Sequence, residues 1–573
     1  MKRAVLLVIV MAMAIFVRPA PADEDKNGKK QLQLVEATID DLQDALRSHL
    51  VTSEQLVQMY QARIAAYDHA GPNLNSYIFL NDVAIDEARV RDFERGHGRR
   101  GPLFGIPIAL KDNINTDDMP TTAGSVALAG SIPPEDATIT RKLRDAGAII
   151  LGKATLTEFA NFIAIGMPSG YSSLGGYGLN PFDPRPLPGG DGRPVLTPGG
   201  SSSGPGIAVS ANLAAVAIGT ETSGSILSPS SSNGNVGIKP TLGLVSRFGI
   251  LPITANQDTA GPIARTVTDA AIVLGVIAGF DPRDPATAPC LVRGNCFTDY
   301  TRFLKRNALK KARIAVPHVP YWNGFTADQA QVMNNAIAAL RAEGAFVDDL
   351  HEIPNQADIS AFGICTSAPA PANCSTVLMY GQKHDLNNYL ALRPDAPVHT
   401  ISDIIAFNSA HADVALKYGQ ALFLAADALD DSPGSADTAR VNADRARDIA
   451  LTRGGIDAVL NGPDGIAGTA DDFDAILFPQ NRGAAAPAKA GYPTVVVPGD
   501  LLPPVAPVVN PAPFGIAFTG RAFSEPTLIG IAYAFEQATH HRVAPASAPP
   551  LPSDLVVRGH GHGDDDDGDG NDD

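Results

Sequence analysis

The chain has 573 residues, is 45% hydrophobic and carries a formal net charge of −17 at pH 7. Seven aspartates fall within residues 563–573, leaving −10 for the remainder, a balance that argues against nucleic acid as a partner. The apolar content is ample for a large core, although length alone would suggest about three or four domains.

The N-terminus opens with Lys2 and Arg3, continues with an unbroken apolar run from Ala4 to Val17, and reaches Ala20-Pro21-Ala22 before Asp23. This is the pattern of a signal peptide over residues 1–22 with an A-x-A cleavage site, which implies an exported protein, periplasmic or secreted. The apolar run of 14 residues is short for a membrane span, so no stable membrane insertion is expected after cleavage. The alternative is a retained N-terminal anchor, with Arg18 close behind its apolar core. Residues 23–30 are charged and read as disordered.

Residues 41–50 and 53–67 place apolar side chains at helical spacing, and Thr52-Ser53 ahead of Glu54 and Gln55 is a helix start signal. The run 105–110, G-I-P-I-A-L, reads as an apolar strand delivering Lys111 to a dry interior. Residues 148–151 read as a short strand, and Thr155-Leu156-Thr157-Glu158 has capping-box spacing for a helix after it. Residues 313–316 read as a strand, 326–343 as an amphipathic helix ending near Gly344, and 494–498 as a buried strand.

Four cysteines form two close pairs, Cys290 with Cys296 and Cys365 with Cys374. In an exported chain an even count suggests disulfides, and this spacing favours the two short loops, with two other connectivities and free thiols as the alternatives. There is neither a C-x-x-C motif nor a Cys/His cluster, so no metal site is read here. Residues 461–472 form an acidic, glycine-rich stretch between two similar segments, 456–460 and 473–477, and read as an inserted loop. Its oxygens suit calcium, but it lacks the EF-hand pattern and a plain surface turn is the competing reading. Residues 551–573 read as a disordered acidic tail in which His560 and His562 bind metal adventitiously at most.

Three motifs carry chemistry. A serine hydroxyl attacks poorly until a base removes its proton, and a lysine whose pKa is lowered by burial can be that base. Lys111 ends the first motif, G-I-P-I-A-L-K-D-N. In the second, G-G-S-S-S-G, Gly199 and Gly200 allow a tight, shaped loop, and Ser201 can relay a proton because a hydroxyl both donates and accepts. In the third, G-T-E-T-S-G-S-I, successive backbone N–H groups of Thr222, Ser223, Gly224 and Ser225 can converge on one point as an oxyanion hole. The second motif also fits G-x-S-x-G with Ser202 as nucleophile, but that arrangement needs a strand leading directly into the serine. Residues 187–200 are crowded with Pro and Gly and cannot supply one.

These motifs, with the flanking runs A-G-A-I-I-L-G-K (146–153), V-G-I-K-P-T (236–241) and Q-D-T-A-G-P-I-A-R (257–265), resemble the amidase signature family over roughly residues 37–279. The resemblance implies Lys111 as base, Ser201 as relay and Ser225 as nucleophile, at the family's serine spacing and with a cis peptide before Ser201. It also implies an α/β fold, one large domain over 31–550 with a mixed twisted β-sheet core surrounded by α-helices. No cofactor is implied, and the substrate is a small-molecule or peptide amide. The runs 219–222 and 257–265 look most like the peptide-amidase branch. Two departures are Ser223, where relatives carry Gly or Asp, and about ten extra residues between Asn180-Pro181-Phe182-Asp183-Pro184 and the Ser201 loop, expected to decorate the mouth of the site. Rival readings are an esterase or acyltransferase with the same residues, a non-catalytic binding protein, and an amidotransferase subunit, which export disfavours. Substrate identity and oligomeric state are not encoded legibly.

Overall fold

The computed structural model describes residues 31–557. The signal-peptide run, residues 23–30 and the aspartate run 563–573 lie outside the described residues.

An eleven-stranded mixed sheet organises the chain. In spatial order its strands are Phe346–Asp349, Arg313–Val316, Ala475–Pro479, Ala512–Thr519, Thr494–Leu502, Val236–Lys239, Thr259–Ala264, Val216–Glu221, Pro107–Lys111, Ile149–Ala154 and Tyr77–Leu80. Strand Pro107–Lys111 runs parallel to both neighbours, Ile149–Ala154 and Val216–Glu221. On its far side Val216–Glu221 pairs antiparallel with Thr259–Ala264. Helices cover both faces, so the central strands are buried along their whole length and read as continuous apolar runs. One apolar cluster reaches from Leu32 to Ala548 and joins the N-terminal helices to the C-terminal helix Glu525–Thr539. The architecture is the single α/β body expected from the sequence.

The caps explain where several helices begin. Thr52 accepts from the backbone of Gln55, whose side chain returns the bond, so Ser53–Tyr67 starts in a capping box. Thr326 and Gln329 do the same for Ala327–Ala342. The first helix, expected over 41–50, is Ile39–Arg47, because Thr38 and Asp41 form a capping box earlier in the chain.

Three expectations are corrected. No regular helix follows Thr155: the turn Glu158–Asn161 holds Phe159 and Ala160 at positive φ, and Glu158 is drawn inward to accept from the N–H and hydroxyl of Ser173. The segments flanking the acidic loop are not equivalent, since 456–460 is the last turn of the 25-residue helix Ala436–Leu460 and only 475–479 is a strand. The folded body also extends past 550: Leu555–Val557 pairs antiparallel with Gln31–Gln33, and Asp554 is buried.

Both expected cysteine pairs are bonded, Cys290 with Cys296 and Cys365 with Cys374. In the acidic loop, Thr469 donates to Asp471 at 2.7 Å and Gly468 N–H to Asp472 at 2.8 Å. Among the described residues no group of three or more His, Cys, Asp or Glu side chains is arranged to hold a metal ion. The extra residues before the Ser201 loop fold back as a small hairpin, with Leu187 donating to Arg193 and Val195 to Arg185, both at 2.8 Å. Tyr418 and Lys417 pin it through Asp191.

Candidate active site

Two parallel strands deliver the site. Lys111 is the last residue of Pro107–Lys111, and Val216–Glu221 ends where the turn bearing Ser225 begins. Ligand sites of α/β sheets gather at such carboxyl ends, where loops diverge.

The Lys111 side chain is completely buried. Its Nζ lies 2.8 Å from Ser201 Oγ, 2.9 Å from Thr220 Oγ1 and 3.3 Å from Thr220 O. Burial drives its pKa down to about 7, against the opposing pull of the negative charges on Asp258 and Glu221. The next residue, Asp112, points the other way, as alternation along a strand requires; it sits 3.4 Å from Lys153 and accepts from Thr122 and Gly124. Asp112 therefore does not hold Lys111 in its charged form.

The loop 197–204 presents one of its three serines to the lysine. Ser202 Oγ donates to Thr220 O at 3.0 Å and accepts from Thr220 N at 3.2 Å, while Ser203 Oγ donates to Gly199 O at 2.8 Å. Both hydroxyls are thus committed to backbone, which removes Ser202 as a G-x-S-x-G nucleophile. The Gly200–Ser201 peptide is cis, as the family resemblance implies, and Gly199 has φ +67°. Glycine at 199 is also required by space: a Cβ there would lie 2.7 Å from the backbone of Ser228 and Pro229.

Ser225 follows in the turn between Val216–Glu221 and the short helix Leu227–Ser232. Its carbonyl accepts from Ser202 N–H at 3.2 Å, which fastens this turn to the Ser201 loop. The oxyanion-hole set is corrected at one member: Gly224 N–H donates to Glu221 Oε1 at 2.7 Å and is unavailable to a substrate. The N–H groups of Thr222, Ser223 and Ser225 meet no acceptor among the described residues.

Four residues of this site were not singled out from the sequence. Thr220 receives the Lys111 amine, and Asn113 Nδ2 donates to Thr220 Oγ1 at 3.1 Å. Glu221 binds the Ser225 turn from below. Asp258, its pKa raised to about 6 by burial, accepts from the Thr222 hydroxyl at 2.6 Å and from the N–H groups of Ile253 and Thr254. All four lie inside motifs already legible in the chain.

A small cleft opens beside these groups. Thr220, Thr222, Asn113 and Asp258 line its polar side, and Ala160, Ile250, Leu251 and Ile253 its apolar side.

The comparisons with known proteins agree with this architecture. The chain belongs to the amidase family, whose profile matches residues 55–428. It is an amide hydrolase by that membership and by its neighbours. It is 36% identical over 552 residues to a probable amidase of Arabidopsis thaliana, covering 94% of this chain and 97% of that protein. Native peptide amidase from Stenotrophomonas maltophilia is 40% identical with a TM-score of 0.77, covering 90% of this chain and 99% of the other. An amidase family protein from Bacillus anthracis superposes with a TM-score of 0.78 at 33% identity, covering 89% and 92% of the two chains.

Proposed function

We propose that the protein is an exported amidase that hydrolyses carboxamides, peptide amides among them, through Lys111, Ser201 and an acyl-enzyme on Ser225. The observation that carries this reading is the contact of 2.8 Å between Ser201 Oγ and a completely buried lysine amine whose pKa lies at about 7. A neutral amine has two hydrogens and one lone pair. The two oxygens of Thr220 accept the hydrogens, and the lone pair is left for the proton of Ser201.

In the reaction, Lys111 takes the Ser201 proton as Ser201 takes that of Ser225, and Ser225 Oγ bonds to the amide carbon. The carbonyl oxygen becomes an oxyanion held by backbone N–H groups from Thr222, Ser223 and Ser225, each such donor being worth about 2.7–4 kcal/mol in kcat. The proton returns through Ser201 to the amide nitrogen, the C–N bond breaks, and ammonia or an amine leaves. Water then gives a proton along the same route as its oxygen bonds to the acyl carbon; that proton returns through Ser201 to Ser225 Oγ as the C–O bond breaks, and the carboxylic acid departs. The groups named are the protein's own, and none of these steps calls on a cofactor.

Similarity to peptide amidase, together with the runs 219–222 and 257–265, supports peptide amides as substrates. The leader-like run at 1–22 and the two cysteine pairs support export. The test is ammonia and amine release by residues 23–573 across peptide amides, acyl anilides, fatty amides and matched esters, with Ser225→Ala in parallel. Turnover of peptide amides lost in Ser225→Ala is the expected result. Turnover of esters alone would replace the amidase reading with an esterase, and full turnover in Ser225→Ala would remove Ser225 as nucleophile.

A further inference from the structure

Glu221 is buried against the Ser225 turn, and proton transfer through Lys111 and Ser201 leaves it without a task. It closes strand Val216–Glu221 with its side chain only 1% exposed. Oε1 accepts from Gly224 N–H at 2.7 Å, and Oε2 from Ile226 and Leu227 N–H at 2.7 and 3.1 Å. Ile226, at the cap position of the short helix Leu227–Ser232, makes no side-chain cap bond, so Glu221 serves these otherwise orphaned donors from outside. Across the turn the engaged N–H groups are those of residues 224, 226 and 227, while those of 223 and 225 stay unengaged. Gly224, at φ +86°, makes this reversal of direction affordable.

The charge has its own support. Burial raises the pKa of Glu221; Lys239, also fully buried, opposes that rise and donates to Tyr492 O at 2.5 Å and Pro240 O at 3.2 Å. Only an acceptor with two oxygens satisfies all three N–H groups. An amide at this place would set its NH2 against one or two of them.

We infer that Glu221 is a positioning residue for amide hydrolysis: by drawing the N–H groups of Gly224, Ile226 and Leu227 inward, its carboxylate turns those of Ser223 and Ser225 toward the carbonyl under attack. The inference rests on Ser225 being the nucleophile. Glu221 is also one of the two negative charges that act on Lys111, the other being Asp258, so its charge and its geometry are separable in experiment.

The test compares the wild type with Glu221→Gln, Glu221→Asp and Ser225→Ala on one peptide amide, measuring kcat, KM and the pH profile, with near-ultraviolet circular dichroism as the check of folding. Glu221→Gln is expected to lose about 10²–10³-fold in kcat, as for loss of an oxyanion donor, with KM within about threefold and the acidic limb displaced to lower pH. Glu221→Asp keeps the charge but withdraws it by one methylene, so kcat falls while the limb stays in place. A folded Glu221→Gln with kcat near wild type, or a loss confined to KM, overturns the inference. If Glu221→Gln does not fold, an unchanged kcat in Glu221→Asp overturns it. Full activity in Ser225→Ala identifies failure of the nucleophile assignment instead.

Discussion

Burial sets the charge state of Lys111. A lysine in water has a pKa of about 10.4, and a fully enclosed amine at about 7 is half neutral at neutral pH. Because the neutral form is the base, log kcat/KM should rise with a slope of one up to about pH 7 and then level off. A pH profile flat down to pH 5 would contradict Lys111 as base. Thr220 tunes the same group: its hydroxyl stabilises the charged amine, so Thr220→Val should move the acidic limb to lower pH and slow turnover. Ser201→Ala and Lys111→Ala should each lose about 10³-fold or more in kcat, measured by ammonia release. At this scale the sequence named Lys111 and Ser201, which the structure places 2.8 Å apart. It missed Glu221, Asp258 and the spending of Gly224 N–H, because each depends on the direction a backbone or side chain takes after the strands are paired.

Among the elements, the loop closed by Cys365 and Cys374 has a clear attachment to the rest of the fold. Thr376 donates from N–H and hydroxyl to Asp444, and Ser375 donates to Asp448, both carboxylates on the helix Ala436–Leu460. Cys365 lies in an apolar cluster with Ile253, which also lines the cleft. Replacing both cysteines by serine should cost about 2–4 kcal/mol, read from urea unfolding under oxidising conditions; no change in midpoint would show that the helix contacts alone hold the loop. Spacing indicated this pairing, but nothing local indicated that the loop backs onto a wall of the cleft. The failed helix after Thr155 has the same origin. Capping-box spacing was present, yet Glu158 is pulled toward Ser173 by tertiary contacts, which override a preference worth about 1 kcal/mol.

The described body is closed where Gln31–Gln33 pairs with Leu555–Val557. Arg63, fully buried, donates to Ala211 O, Asn212 O, Ala548 O and Pro549 O and pairs with Asp554 at 2.5 Å. A buried pair of this kind is expensive to break from one side. Asp554→Ala should therefore lower stability by about 3–5 kcal/mol, measured by chemical denaturation, and truncation after residue 550 should do at least as much. Truncation after 557, which retains the strand pair with Gln31–Gln33, should leave the unfolding midpoint unchanged. Equal midpoints for the two truncations would show that the terminal strand pair contributes nothing.

The sequence by itself determined the family, the α/β class, and the boundaries of the strands and helices with strong period and caps, such as Arg313–Val316 and Ala327–Ala342. These are local properties: glycine where a loop must fold tightly, an apolar run where a strand is buried on both faces, a threonine where a helix must start. The tertiary structure alone decided which N–H groups of the Ser225 turn face outward, which carboxylates act on Lys111, and that residues 551–557 belong to the body. Hydrogen bonds and charges act across space, and partners such as Arg63 and Asp554, 491 positions apart, have no signature in the chain between them.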